Sequence, residues 1–278
     1  MAKTPASEGL PTALALPTAL AFLRRTAELA ADHARSFDAG CVVRTPSLPL
    51  VWGLNHLRLA CPVTSEQVVA LAEEHLGDLP YRQVAIEHQA SAELLEEPLR
   101  AHGWKPDREL LMALARPADR EADASAVVEV EQDAVSALMR RWVSNDPKMT
   151  PQTLDQVVAA TAREGRVRSA RNFSIRDAAG EVVAMTKLYS DGVTAQVEDV
   201  YTVPEWRNHG CARRLISRAI ALALQDGHEL VFIVADDDGW PRHLYSRLGF
   251  DPIGRMAMFH RDLHPPPQRS ARSQPAAQ

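Results

Sequence analysis

The sequence predicts an α+β (mixed α/β) fold, with a mostly antiparallel twisted central sheet built round a βαβ unit. Three observations predict it. Residues 194–203 form an extended run that breaks at Pro204, and after the turn Arg207-Asn208-His209-Gly210-Cys211-Ala212 the positions Leu215, Ile216, Ala219, Ile220, Ala223 and Leu224 recur at helical spacing. That helix stops at Asp226-Gly227, and Leu230 to Ala235 is an unbroken apolar run suited to a strand buried on both faces. Upstream, 172–176 and 181–189 read as strands joined by turns at 177–180 and 190–192, an antiparallel lead into the unit.

Taken in order, the first half reads as mixed α and β. Residues 10–23 are apolar, but two prolines interrupt them and Arg24-Arg25 follow, which argues against a signal peptide and for a loose lead into a helix at 20–35. Cys41 to Arg44 and Leu48 to Leu59 read as extended, 65–76 as an amphipathic helix capped by Ser65, Tyr81 to Glu87 as a strand, Ala90 to Ala101 as a helix and Arg108 to Ala115 as a strand. The polar stretch 115–126 reads as a linker. Helices from Gln132 to Ser144 and through Ala162 flank a loop at 146–151, and the Pro-, Ser- and Gln-rich tail 264–278 is expected to be disordered.

Composition excludes several classes. With 278 residues, 46% hydrophobic and 24% charged, the chain suits one large or two ordinary globular units. Three widely spaced cysteines with no C-x-x-C pattern argue against a disulfide framework or structural zinc, and fit a reducing, cytoplasmic compartment. No metal-ligand spacing and no run long enough for a membrane span occur. In neither half do Lys and Arg outnumber Asp and Glu, so no nucleic-acid partner is expected; only Arg163, Arg166, Arg168, Arg171 and Arg176 cluster, and they read as solvated charge or as a contact to phosphate or to an acidic acceptor.

The turn at 207–214 is an anion cradle in physical terms. Gly210 and Ala212 let a ligand approach the backbone, free N–H groups at the helix start point at it, and Arg213 and Arg214 add positive charge. The string R-x-x-G-x-A alone is weak; the strand before it and the helix and buried strand after it give it context.

With those residues in view, EDVYTVPEWRNHGCARRLI resembles the cofactor motif of the GNAT superfamily of acyl-CoA N-acetyltransferases, and DDDGWPRHLYSRLGFDP at 236–252 resembles its second motif. The resemblance covers residues 126–262 and departs mildly: Asn208 and Ala212 stand where Gly is common, Asp238 where Asn is. It implies a GNAT fold, acetyl-CoA as co-substrate without a metal, and a small-molecule or peptide amine as acceptor, in a monomer or homodimer. It places CoA on Val200, Tyr201 and Thr202 of the central strand and on Arg207, Asn208, His209, Gly210, Cys211, Ala212 and Arg213 of the loop, with a backbone N–H near Thr202 facing the thioester oxygen.

Acetyl transfer also needs a base for the ammonium and a proton for the leaving thiolate. Glu198 and Asp199 are the candidate bases; adjacent strand residues point to opposite faces, so only one faces the acceptor unless a bulge intervenes, and either reads otherwise as a strand-end carboxylate bonded to a turn. Tyr245 matches the family's proton donor, or is an aromatic packing its helix on the sheet. The segment from Leu99 to Pro106 echoes that from Tyr245 to Pro252, with Leu99 in the place of Tyr245 and no phosphate loop in the first half. The chain therefore reads as a smaller degenerate GNAT-like domain at 1–118, a linker at 119–126, and a catalytic domain at 127–263. The alternative to an enzyme is a catalytically silent acyl-CoA-binding regulatory module, which needs neither base nor Tyr245.

Overall fold

Helix α1 (Thr12–Ala30) starts well before residue 20, with Pro11 as its N-cap residue and Pro17 inside it. An internal proline costs about 3 kcal/mol, which burial of Ala15, Ala19, Phe22, Ala27 and Ala30 beneath the helix offsets. Residues expected to continue this helix instead form β1 (His33–Phe37), an edge strand exposed over four of its five residues and so without an apolar signature. The computed structural model from which these elements come describes residues 11–146 and 149–263; the expected tail at 264–278 lies outside them.

The rest of the first half comprises β2 (Gly40–Arg44), β3 (His56–Leu59), α2 (Ser65–Leu76), β4 (Tyr81–Ile86), α3 (Gln89–Ala101) and β5 (Lys105–Leu114). Two expectations change. The 48–59 stretch is not extended throughout, because Asn55 donates to the carbonyls of Leu48 and Val51 and curls it into a turn of 3-10 helix at Trp52–Leu54. The cap of α2 is Thr64 rather than Ser65: its hydroxyl accepts from the Gln67 N–H while the Gln67 side chain accepts from the Thr64 N–H.

The second half comprises β6 (Val128–Val130), α4 (Gln132–Val143), α5 (Pro151–Val167), β7 (Arg171–Arg176), β8 (Val182–Ser190), β9 (Thr194–Thr202), α6 (Cys211–Gln225), β10 (Leu230–Asp236), α7 (Pro241–Arg247) and β11 (Phe250–Asp262). Strand β6 is too short to read from its three residues and α5 runs past the expected end at Ala162 to Val167, while the other elements fall near where periodicity puts them.

Among the described residues all strands join one sheet in the order β1-β2-β3-β4-β11-β5-β10-β9-β8-β7-β6, antiparallel except for β3 with β4 and β9 with β10. The two halves repeat one plan. Each has antiparallel strands leading to a parallel pair bridged by a helix, α2 in the first half and α6 in the second. A further helix, α3 or α7, then leads to the last strand. Those last strands are exchanged, since β11 lies between β4 and β5, and β5 lies beside β10. The sequence echo is visible too: Gly103 and Gly249 both take positive φ after their helices, and Trp104 and Phe250 are both fully buried. Gly249 admits no side chain, because a Cβ there would lie 1.9 Å from the Arg116 carbonyl oxygen.

One sheet face carries α4, α6 and α7 over a large apolar core, and the other carries α1 with Phe22, Leu111, Tyr189, Leu230 and Phe232. Four members of the arginine cluster are engaged in this framework, and Arg166 is exposed. Arg168, 3% exposed, donates to the Phe22 carbonyl of α1 and lies over the Phe22 ring; Arg163 pairs with Asp32, Arg171 with Glu129 and Asp226, and Arg176 bonds the Gly180 carbonyl. The contacts of Arg163 and Arg168 fasten α5 and the residues after it to α1 and the residues after it, and so the second half to the first; those of Arg171 and Arg176 stay within the second half.

Candidate active site

Strands β9 and β10 pair from Thr194 with Leu230 to Val197 with Ile233 and then part, although β9 runs on to Thr202 and β10 to Asp236. The result is a fork that opens the middle of the sheet. A bulge at its apex causes the parting: the register of β8 against β9 passes from Lys187 opposite Glu198 to Met185 opposite Tyr201, and Asp199 takes φ 54°. Thr186, left opposite the bulge, satisfies it by donating its hydroxyl to the Glu198 carbonyl at 2.9 Å.

The bulge corrects the expectation that Glu198 and Asp199 face opposite ways. Both line one cavity of about 370 Å³ on the α1 and α5 face. Asp199 Oδ2 lies 3.0 Å from Nζ of Lys187, a lysine only 1% exposed; the contact is an ion pair whose angles fall outside hydrogen-bond geometry. Glu198 accepts from the Gln196 amide and, among the described residues, has no ion-pair partner. Burial and then the charge of Asp199 push the Glu198 carboxyl up to about 8, and Glu164, facing them from α5, is pushed up to about 7 by burial and Asp199.

Across the fork, on the α6 and α7 face, stands Tyr245. It is 8% exposed and packs edge-on against Phe250 at 6.5 Å. Burial, followed by the negative charge of Glu198, raises its phenol above the usual tyrosine value, so the two groups sense each other through the sheet.

The loop after β9 has the backbone an anion needs. Asn208 and Gly210 take φ 64° and 78°, Gly210 is the N-cap residue with no side-chain cap, and nothing stands within 4 Å of where its Cβ would be. The N–H groups of Cys211, Ala212 and Arg213 open the helix without intrahelical acceptors. Arg207, Asn208 and His209 are exposed, and His209 Nδ1 donates to the Arg207 carbonyl. The Arg213 guanidinium does not face this loop: it is buried and donates both terminal nitrogens to Asp119 in the linker, which leaves only its backbone N–H. Cys211 is a buried packing residue whose thiol is raised by burial.

On the strand, the Tyr201 ring stacks on Trp142 in the core, and Val200 packs against the same core. The Val203 N–H donates to Val183, so by strand alternation the Thr202 N–H is turned away from β8 and into the fork. Sequence reasoning missed Lys187, which reaches the site only through its ion pair with Asp199, and it missed Glu164 and the first-half contributors Leu23, His56, Arg58 and Glu109, all brought to the cavity wall by tertiary packing. Among the described residues no group of His, Cys, Asp and Glu is placed to hold a metal ion, and no helix is long and apolar enough to cross a membrane.

Comparison with known proteins fits this geometry. A model of the acetyltransferase (GNAT) family matches residues 135–250. A functionally unknown conserved protein from Staphylococcus epidermidis is similar over 83% of this chain and 94% of its own, with TM-score 0.65 and 13% identity. A GCN5-related N-acetyltransferase from Kribbella flavida is similar over 92% and 96%, with TM-score 0.59 and 18% identity. At such identities the likeness is one of fold. No curated protein matches the chain. The protein thus carries, at residues 135–250, a domain of the GNAT acetyltransferase family.

Proposed function

We propose that the protein is an N-acetyltransferase that moves the acetyl group of acetyl-CoA to a primary amine of a small-molecule or peptide acceptor by direct attack. The observation that carries this reading is the fork itself, open through the sheet with carboxylates on one face, a tyrosine on the other and an uncapped helix start at its mouth. The residues present fit acetyl-CoA, because the backbone N–H groups at 211–213 and the left-handed Asn208 and Gly210 form a cradle that no side chain fills. Bound acetyl-CoA supplies the acyl group as an activated thioester.

The chain supplies the rest. The Thr202 N–H is positioned to stabilise negative charge on an acyl oxygen in the fork. Glu198, near 8 and without a cationic partner, is matched to accept a proton from an alkyl ammonium, whose own pKa is about 10. Asp199, paired with Lys187 at 3.0 Å, lies beside Glu198, and its charge helps keep Glu198 basic. Tyr245 gives a proton to the departing sulfur, and the order of events favours it: once Glu198 is protonated, its charge no longer raises the phenol, which becomes a better acid when an acid is needed.

Residues 1–118 form a cofactor-free unit and 127–263 the catalytic unit, joined by 119–126. Two contrasts support this division of labour. The helix start of α2 is closed by its own capping box, and β3 stays bonded to β4 to its end, where the Glu87 N–H donates to the Leu59 carbonyl. Release of free thiol from acetyl-CoA with a library of amines tests the proposal. Binding of acetyl-CoA without thiol release on any amine would instead identify a silent acyl-CoA-binding module.

A further inference from the structure

The cavity beneath α1 extends well beyond the fork. Its wall runs from Glu198 on β9 past Val234, Glu109 and Met256 to Arg58 and His56 on β3. In the sheet order that path crosses five inter-strand gaps, a floor of about 24 Å at about 4.8 Å per gap. The space is therefore a trough across the strands, roofed by α1 and α5, with its far half built by residues 1–118.

Negative charge is in excess along the trough. Among the described residues Glu109, Glu164 and Glu198 have no cationic partner, while Lys187 is matched to Asp199 and the Arg58 guanidinium donates to Glu87, which also takes Arg24. Glu109 stands apart from the fork cluster. It pairs in register with Asp236, two positions beyond the level of Glu198, and lies two strands away, roughly 12 Å between Cα atoms. Burial pushes its carboxyl up to about 7 although the Arg58 charge opposes the shift; Arg58 is itself ion-paired with Glu87, so a further cation in contact with Glu109 would hold it ionised. An independent feature marks the far end: His56 is 2% exposed, lines the trough and has no hydrogen-bond partner on either ring nitrogen, the nearby Gly53 carbonyl lying outside bonding geometry. Burial and Arg58 keep that imidazole neutral at ordinary pH, so one nitrogen is free to accept an N–H. Between the polar stations the floor is Met256 and Met258, flexible side chains that suit methylene segments.

We infer that the acceptor is a linear aliphatic di- or polyamine lying across the strands, with its reacting nitrogen at Glu198, a second ammonium at Glu109 and its far end toward His56. This rests on the acetyltransferase reading and specifies its substrate class. The reacting ammonium passes one proton to Glu198, the free amine forms the C–N bond as the C–S bond breaks, and the second proton it sheds on becoming the amide balances the one that Tyr245 gives to the departing sulfur; the second nitrogen stays charged and unmodified.

The test compares 1-aminobutane, 1,4-diaminobutane, N-(3-aminopropyl)-1,4-diaminobutane and 4-aminobutanoate with the full chain. A charge-assisted contact to Glu109 is expected to favour the diamine over the monoamine by on the order of 10- to 100-fold in kcat/KM. The triamine should do at least as well and the amino acid worse than the monoamine. Glu109→Gln should collapse the diamine-to-monoamine ratio toward one. Thermal shift with 1,4-diaminobutane, in wild type and Glu109→Gln, gives a readout independent of catalysis. A wild-type ratio near one, or a ratio that survives Glu109→Gln in a folded variant, overturns the inference while leaving the acetyltransferase reading intact. Stabilisation by the diamine that requires Glu109, with no acetylation of any amine, supports the inference and overturns that reading.

Discussion

The assignment of Glu198 as base is tested by the pH dependence of kcat/KM. A carboxyl held near 8 is ionised in about 1% of molecules at pH 6 and in about half at pH 8, so the rate should rise about 50-fold over that interval. A carboxyl at its ordinary value near 4.5 would give almost no change. An alkylamine acceptor gains free base over the same interval, so the assay should use an arylamine that is already neutral at pH 6, following thiol release at saturating acetyl-CoA. Asp199→Asn removes the neighbouring charge that helps raise Glu198, and should move the midpoint to lower pH by on the order of one unit, equivalent to about 1.4 kcal/mol. Glu198→Gln should remove the limb and cost on the order of 10² to 10⁴ in rate. A limb that persists in Glu198→Gln, or one with its midpoint near 5 in the wild type, would refute the assignment.

Other outcomes follow from the same geometry. Tyr245→Phe keeps the ring against Phe250 and should lower turnover by on the order of 10²-fold with little change in acetyl-CoA affinity; normal turnover would make Tyr245 structural. Calorimetry should find one CoA per chain, abolished by Gly210→Asp with circular dichroism unchanged, and two equivalent sites would contradict the closed first half. Glu109, Glu164 and Glu198 are raised above their unfolded values, so the folded state binds their protons more tightly. Their stabilisation is full below about pH 4.5 and is lost as pH rises through about 7 to 8, which should appear as a melting temperature falling from pH 5 to 9, less steeply in Glu198→Gln. Residues 119–263 expressed alone should be insoluble or unfolded, because both partners of β11 lie in the first half.

The legible and illegible parts of this sequence divide on physical grounds. The strand–loop–helix–strand run at 194–235 could be read because its signals are local: an apolar period, a glycine at positive φ and a stop at Asp226-Gly227. Tyr245 could be named because its motif is contiguous. The bulge at Asp199 left no local signature, since it arises from register against β8, and alternation therefore gave the wrong faces. Arg213 looked like a phosphate ligand because nothing nearby announces Asp119, which is 94 residues away in sequence. The cavity's far wall was invisible for the same reason: His56 and Glu109 are unremarkable singletons until β5 is inserted beside β10.

That insertion explains why a half that shows no cofactor loop is nonetheless part of the site. If each half kept its own last strand, the fork would end against β11 and the surface beyond it would be free to drift or be lost. Exchange makes β5 the neighbour of β10 and sends β11 out to β4, so the edge strand that each half would otherwise expose is paired by the other. Changes in the first half are then constrained by the second half's sheet. The turn before α2 is closed by Thr64 and Leu99 stands where the second half has Tyr245, while Glu109 is fixed two positions along from the fork on a strand that cannot slip without breaking both of its ladders. On the proposed reading the first half is a wall with chemistry of its own, held in register with the reacting centre by backbone hydrogen bonds rather than by a deformable interface between two docked bodies.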